Sequence, residues 1–403
     1  MSDRIGNNKE RLWTWAFTIL CLASLFISMA QKMTNVTVGL NVDRLGGTAT
    51  TVGLVGTIFS VTSILGRPIS GKLSDKIGTG FLVSAGGVLF AVSSFAYVFV
   101  TSAEQILVLR AFQGLGYAVT ATSLTVAVAN AAPESRMGEG MGYLGLGMAL
   151  SGTVGPPIVL PIYYSGNYNA VQYMIAAFGL MAFVGGFFCR KKTKEKAVET
   201  ATKDKKKPFS LKGFIEPAAI KPGIITFFAY MGISVFYVYI SIYAEKRGFS
   251  NASLFFIISS VMTLVVRMFC GRIYDRFGPI SVLLPGSLLG AVNLVVLALA
   301  KTELAFLAGG VLYGIFGGML VPGLNSLAAQ SVPKEKRGGA IGTYYVMMDI
   351  GIAVGSFAWG KVADISGGYS TAFIIAALTM VAAAVLILIF CRGIKKNDQP
   401  SRA

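Results

Sequence analysis

Asp349 sits within a long apolar run, where helical rise from Gly338 carries it about 16 Å inward. Tyr345 and Ser356 fall on neighbouring parts of its face. A carboxyl at such depth exchanges protons as its surroundings wet and dry, and it needs a cation or water to stay ionised. Lys32 and Arg110 are the cations that also fall inside apolar segments. Lys32 has Gln31, Thr34, Asn35 and Thr37 around it; Arg110 leads Gln113, Gly114 and Tyr117 along one helical face. Two readings of each charge stand open. Asp349 is either a proton-accepting switch or half of a structural ion pair with Lys32 or Arg110. Arg110 either lines a cavity or locks helices together. Lys32 either lines that cavity or marks the frayed outer end of a span. Together with Asn325, these side chains form the candidate substrate and proton site: Lys32, Asn35, Arg110, Gln113, Tyr117, Asn325, Tyr345 and Asp349.

What positions them is a greasy frame. The chain has 403 residues, of which 54% are hydrophobic and 13% charged, about half the charged share of a soluble domain. Uncharged stretches reach the roughly 20 residues that a helix needs to cross hydrocarbon. They predict twelve spans near 12–38, 47–70, 80–101, 104–130, 139–163, 170–190, 222–244, 251–272, 280–300, 303–331, 338–362 and 369–391. The expected fold is therefore an all-α membrane protein. Six spans lie before a basic linker at 190–221 and six after it, giving halves at 1–189 and 222–403. The linker's second part, 209–221, has an amphipathic pattern suited to an inner membrane face.

The formal net charge of +17 lies mostly beside the spans on the side of both termini. The opposite side holds Arg44, Lys246, Arg247, Lys301 and Lys361. Positive-inside bias then places both termini in the cytosol of a cell membrane, with the basic residues against anionic lipid and no need for nucleic acid. With no His in the chain, a Cys/His metal site is excluded, and the four Cys offer no outward-facing disulfide pair. No catalytic cluster is visible at membrane depth, and no cofactor is expected. Twelve spans suffice to enclose a cavity for a small molecule in one chain, so a monomer is expected.

The halves are related to each other. Arg67, Gly71, Asp75, Gly78, Gly86, Gly114, Pro133, Gly138, Gly142 and Gly155 recur at an offset of 200 residues as Arg267, Gly271, Asp275, Gly278, Gly286, Gly314, Pro333, Gly338, Gly342 and Gly355. Same-sense duplication of an apolar chain is a known device for building two lobes around a midplane site. Asp349 is not part of the repeat, because its counterpart is Ala149.

The loops that follow the second and eighth spans read Gly71-Lys-Leu-Ser-Asp75-Lys76-Ile-Gly78 and Gly271-Arg-Ile-Tyr-Asp275-Arg276-Phe-Gly278. This pattern resembles the major facilitator superfamily signature G-x-L-x-D-R-x-G. Thr79, Gly80 and Pro279 stand where that family usually carries further basic residues. Arg110-x-x-x-Gly114 resembles a second signature of the family. Gly142-x8-Ser151-x3-Gly155-Pro156 partly resembles its antiporter signature, with Ser151 and Val159 in place of glycines. The resemblance implies alternating access between the halves. It makes Arg67, Gly71, Asp75, Lys76, Arg267, Gly271, Asp275 and Arg276 inner-gate residues that hold the outward-facing state, and Gly142, Gly155 and Pro156 a packing motif between halves. The function it points to is proton-coupled efflux of a small organic compound or drug. Uptake or exchange of an organic anion held by Lys32 and Arg110 is the alternative.

Overall fold

A backbone crossing hydrocarbon finds no water to bond, so each segment must satisfy its own amides, which a helix does. The computed structural model describes residues 12–133, 136–203, 216–333 and 336–392, and among them twelve helices are long and apolar enough to cross a membrane. The helices are α1 (Trp15–Arg44), α2 (Ala49–Ile77), α3 (Thr79–Ala96), α4 (Ala103–Ala131), α5 (Met137–Tyr164), α6 (Tyr168–Lys203), α7 (Ile220–Val238), α8 (Ile240–Lys246), α9 (Ala252–Phe277), α10 (Ile280–Leu299), α11 (Glu303–Gln330), α12 (Arg337–Ser366) and α13 (Tyr369–Cys391). All but the short α8 are span candidates. The proposed amphipathic piece of the linker lies largely outside the described residues.

Local sequence sets several boundaries. Thr14, Thr48 and Thr302 cap α1, α2 and α11, each accepting a bond from an amide of the first turn. Gly78 and Gly278 close α2 and α9 at φ 86° and 84°, a backbone that β-carbons resist, so the repeated glycines end both helices in the same way. Several helices differ from the expected spans, with α2 running on to Ile77 and α6 to Lys203. Helix α1 runs on to Arg44, which makes Lys32 a mid-helix residue instead of a frayed end. The seventh span stops at Val238, and the buried Tyr239 separates it from α8.

The packing repeats along with the sequence. Within the first six helices α3 packs on α4 and α6, α2 on α4, and α1 on α5 and α6. In the second set α10 packs on α11 and α13, α9 on α11, and α7 on α12 and α13. Bulky apolar side chains such as Leu65, Phe187, Met268 and Leu378 face outward, as a lipid-solvated surface requires. Polar side chains are inside: Ser24, Ser28, Gln31, Thr34 and Thr37 of α1 are all buried. Thr34 and Thr37 return their hydroxyls to the carbonyls of Ala30 and Met33, at 2.8 and 2.9 Å.

Contacts between the two sets gather at the end away from the termini. There Asp364 of α12 accepts from the amides of Ala49 and Thr50 at 2.9 and 2.8 Å, covering the exposed N-terminus of α2. Lys246 meets Asp43 at 2.7 Å, and Thr57 donates to the carbonyl of Ala353 at 2.8 Å. Gly53 and Gly360 let α2 and α12 touch backbone to backbone, since a β-carbon at either would collide with a carbonyl of the opposite helix or with the Tyr239 hydroxyl. Toward the termini a β-carbon at Gly71, Gly142, Gly145, Gly271 or Gly338 would meet open space. Among the described residues, these hydrogen bonds and the exposed ion pair between the two sets thus gather at the far end, while these glycines at the other end border open space. Replacing Gly53 with Val should force α2 from α12 at an overpacking cost of about 1–3 kcal/mol. A Thr57→Cys/Ala353→Cys pair that crosslinks readily should lose that crosslink in the Gly53→Val background.

Candidate functional site

Arg67 and Asp349 are the charges that the fold brings together across the two sets away from the exposed far end. Helix α2 continues ten residues past Arg67 to Ile77, and α12 starts twelve residues before Asp349, so both lie about 15–18 Å in from the same end. Arg67 Nε donates to Asp349 Oδ2 at 3.0 Å. Pro68 follows Arg67 inside α2, where its missing amide leaves a carbonyl of the preceding turn unbonded. The guanidinium lies over the ring of Tyr345, 5.0 Å from its centroid. Tyr117 of α4 is close enough to feel both charges of the pair. Asp349 is buried at 5% exposure, so an ionised carboxylate there depends on Arg67.

This corrects the expected partner of Asp349, which is neither Lys32 nor Arg110. Sequence alone assigned Arg67 to a gate at a helix end, because the extent of α2 beyond it was not visible in hydropathy. The pattern that could have found it is the repeat itself, which ties Arg67 to the gate signature while its spacing from Gly78 still leaves it three turns deep.

Arg110 belongs to a different arrangement. It is buried at 2% exposure inside the first set of helices, where Nη2 reaches Asn35 Oδ1 at 2.5 Å and Nη1 reaches Gln113 Oε1 at 3.2 Å. Gln113 passes its amide to Ser94 at 2.8 Å and accepts from Tyr97 at 3.1 Å. The guanidinium also sits 4.2 Å over the ring of Phe59. Arg110 therefore ties α1, α2, α3 and α4 through hydrogen bonds and a ring face. It meets no carboxylate among the described residues, and this differs from both the cavity-lining and the ion-pair expectation.

Lys32 is half-buried and looks across the two sets at the ring of Tyr237 on α7, 4.6 Å away. No carboxylate pairs with it among the described residues. Asn325 is half-buried on α11 and makes no hydrogen bond among them.

Of the gate candidates, Lys76, Asp275 and Arg276 are exposed, and Gly71 and Gly271 border open space. The side chain of Asp75 lies outside the described residues. Arg267 is half-buried and leaves its Nε buried without a hydrogen bond. The packing motif also differs from expectation. Gly155 abuts α1 of its own set, within 3.4 Å of Met33 for an added β-carbon, and Gly142 borders open space. Pro156 is one of three prolines inside α5. Contact of α5 with the other set falls instead at Gly152, whose carbonyl lies 3.4 Å from the Ser260 hydroxyl of α9.

Two repeated six-helix sets, held together at one end and joined deeper in by a buried ion pair, describe a membrane transporter. Residues 20–304 and 224–403 match the model of the Major Facilitator Superfamily, and the chain belongs to that superfamily. It is 24% identical over 365 residues to the staphylopine export protein of Staphylococcus aureus, covering 88% of this chain and 90% of that one. It is 24% identical over 207 residues to the quinolone resistance protein NorA of the same species, covering 51% and 53%. Among solved structures, the nucleoside transporter NupG superposes with a TM-score of 0.74 at 14% identity, over 95% of this chain and all of that one.

Breaking the central pair from one side strands the other charge in a dry interior. Arg67→Gln or Asp349→Asn alone should each destabilise the protein by about 3–5 kcal/mol, and the double variant by clearly less. Thermal unfolding in detergent across the four proteins reads the coupling.

Proposed function

We propose that this chain is a proton-coupled exporter that exchanges a small organic compound for protons by alternating access. The lobes are 1–189 and 222–403, joined by the basic linker, and the termini lie in the cytosol of a cell membrane. The observation that carries the reading is the Arg67–Asp349 pair, a 3.0 Å contact between lobes that depends on one removable proton. With the termini in the cytosol, the contacts at the far end fit an inward-facing form, in which an ionised Asp349 has given up its proton to the cytosol. Substrate then enters from the same side. As the lobes rock the pair with Arg67 parts, and a proton from outside then neutralises Asp349 and returns the empty carrier.

The remaining features agree with this cycle. Exposed Lys76, Asp275 and Arg276 and open space at Gly71 and Gly271 suit an inner gate that is disengaged in the inward-facing form. Export is the direction named for the staphylopine relative, and the other relative is named for quinolone resistance. The second reading, uptake or exchange of an organic anion, draws on Lys32, which faces Tyr237 without a carboxylate. Arg110 contributes less to that reading than expected, because Asn35 and Gln113 already occupy it.

Everted membrane vesicles with an imposed proton gradient discriminate these readings. Added substrates from a panel of cationic, neutral and anionic organic compounds should collapse the gradient in wild-type vesicles. Asp349→Asn should abolish the response, with exchange independent of pH. Transport by Asp349→Asn that stays fully pH-driven would remove the proposed coupling residue.

A further inference from the structure

The offset of 200 residues that relates Arg67 to Arg267 relates Asp349 to Ala149. One lobe pair, α2 with α12, therefore carries both halves of an ion pair, while its repeat, α9 with α5, carries only the cation.

The two helix pairs meet in matching registers. On α2 and α12 the rungs are Gly53 beside Ser356, Thr57 beside Ala353, and then Arg67 bonded to Asp349. On α9 and α5 the hydroxyl of Ser260 faces the carbonyl of Gly152, which the offset maps to positions 60 and 352, beside the Thr57 rung. Continuing the same ladder places Arg267 at the level of Ala149, where the carboxylate would stand. Arg267 has no salt bridge among the described residues, and its Nε is buried without an acceptor. A guanidinium always stays charged, and where no amide oxygens meet it, as Asn35 and Gln113 meet Arg110, an anion is its best partner in a low-dielectric body. Tyr344 lies within electrostatic reach of Arg267 and bonds through its hydroxyl to Tyr230 at 3.0 Å, which extends a polar wall beside the cation. Lys32 supplies a second cation that no carboxylate matches, held over Tyr237.

We infer that the transported compound carries a carboxylate, and that it binds Arg267 in the place left vacant at Ala149, with Lys32 as a second cationic contact. This rests on the transporter reading above and gives its substrate a chemical class. Binding then completes across α5 and α9 the ion pair that Asp349 makes across α2 and α12. Loading the carrier gives both interfaces one neutralised pair, while the empty carrier has one.

The test supplies the missing carboxylate from the protein itself. Ala149→Asp should raise the unfolding temperature relative to Ala149→Asn, and the gain should vanish when Arg267→Gln is added. In purified wild-type protein, at least one member of a panel of mono-, di- and tricarboxylates from acetate to citrate should raise the unfolding temperature at matched ionic strength, while its methyl ester should not. Arg267→Gln should weaken that binding by about tenfold to a hundredfold, the worth of one charge-assisted contact. Ala149→Asp should block it. The inference is overturned if no carboxylate in the panel binds, if Arg267→Gln binds as wild type does, or if the Ala149→Asp gain persists without Arg267. Gradient-driven transport in vesicles remains a separate readout. An Arg267→Gln carrier that still runs on protons with unchanged carboxylate affinity sinks this site and leaves the exporter reading intact.

Discussion

An ionised side chain inside a dry helical body costs several kcal/mol unless something opposite in charge or rich in hydrogen bonds meets it. The interior of this protein is arranged around that constraint. Arg110 meets it with amide oxygens and a ring inside one lobe, which fixes four helices to each other. Arg67 meets it with a carboxylate on the other lobe, which makes the same necessity a tie between moving parts. A contact satisfied within a lobe contributes rigidity. One satisfied between lobes contributes a state, because it exists only while the lobes keep this arrangement.

The far-end seal is of a different strength from the packing inside each lobe. Its ion pair, Lys246 with Asp43, is half-exposed, and such surface pairs contribute about 0–1 kcal/mol. The Asp364 carboxylate covers helix amides that water could cover instead. Inside the lobes, by contrast, α3 is set against α4 and α6 through Gly86, Gly116, Gly87 and Gly179, where an added β-carbon would strike backbone atoms. Close-packed small residues of this kind do not slide without losing many dispersion contacts at once. The molecule is thus stiff within the lobe and weakly sealed between lobes, which suits the proposed alternating access.

Hydropathy and the glycine repeat made the twelve spans and their duplication legible, because both are properties of single segments read along the chain. The candidate site was legible only in part. Asp349, Tyr345, Tyr117 and Lys32 were recognisable as polar groups at depth, and the structure places Tyr117 and Tyr345 beside Asp349. Their partners were not, since a partner is a relation between helices. Arg67 sits next to a loop signature in sequence, yet three turns of helix separate it from that loop in space. Thr34 and Thr37 looked like cavity lining and instead spend their hydroxyls on their own helix. Gly142 and Gly155 carry a spacing associated with contact between halves, whereas here Gly155 faces α1 and the inter-lobe touch falls at Gly152.

Duplication places equivalent helices at the two lobe interfaces, and the departures from it show where they differ chemically. A duplicated carrier with Asp at both 149 and 349 would hold each interface by an internal pair, and an incoming ligand would have to displace a covalently tethered carboxylate at very high local concentration. Loss of the carboxylate on one side removes that competitor while leaving the cation in place. In the proposed cycle the proton-linked step belongs to α2 and α12, which carry the acid, and recognition in the inferred site falls to α5 and α9, which lack it. Such a division lets one side titrate without altering the charge that the other side presents. The coupling between them must therefore pass through rigid rotation of the lobes, the motion that the stiff interior and the weak far-end seal both favour.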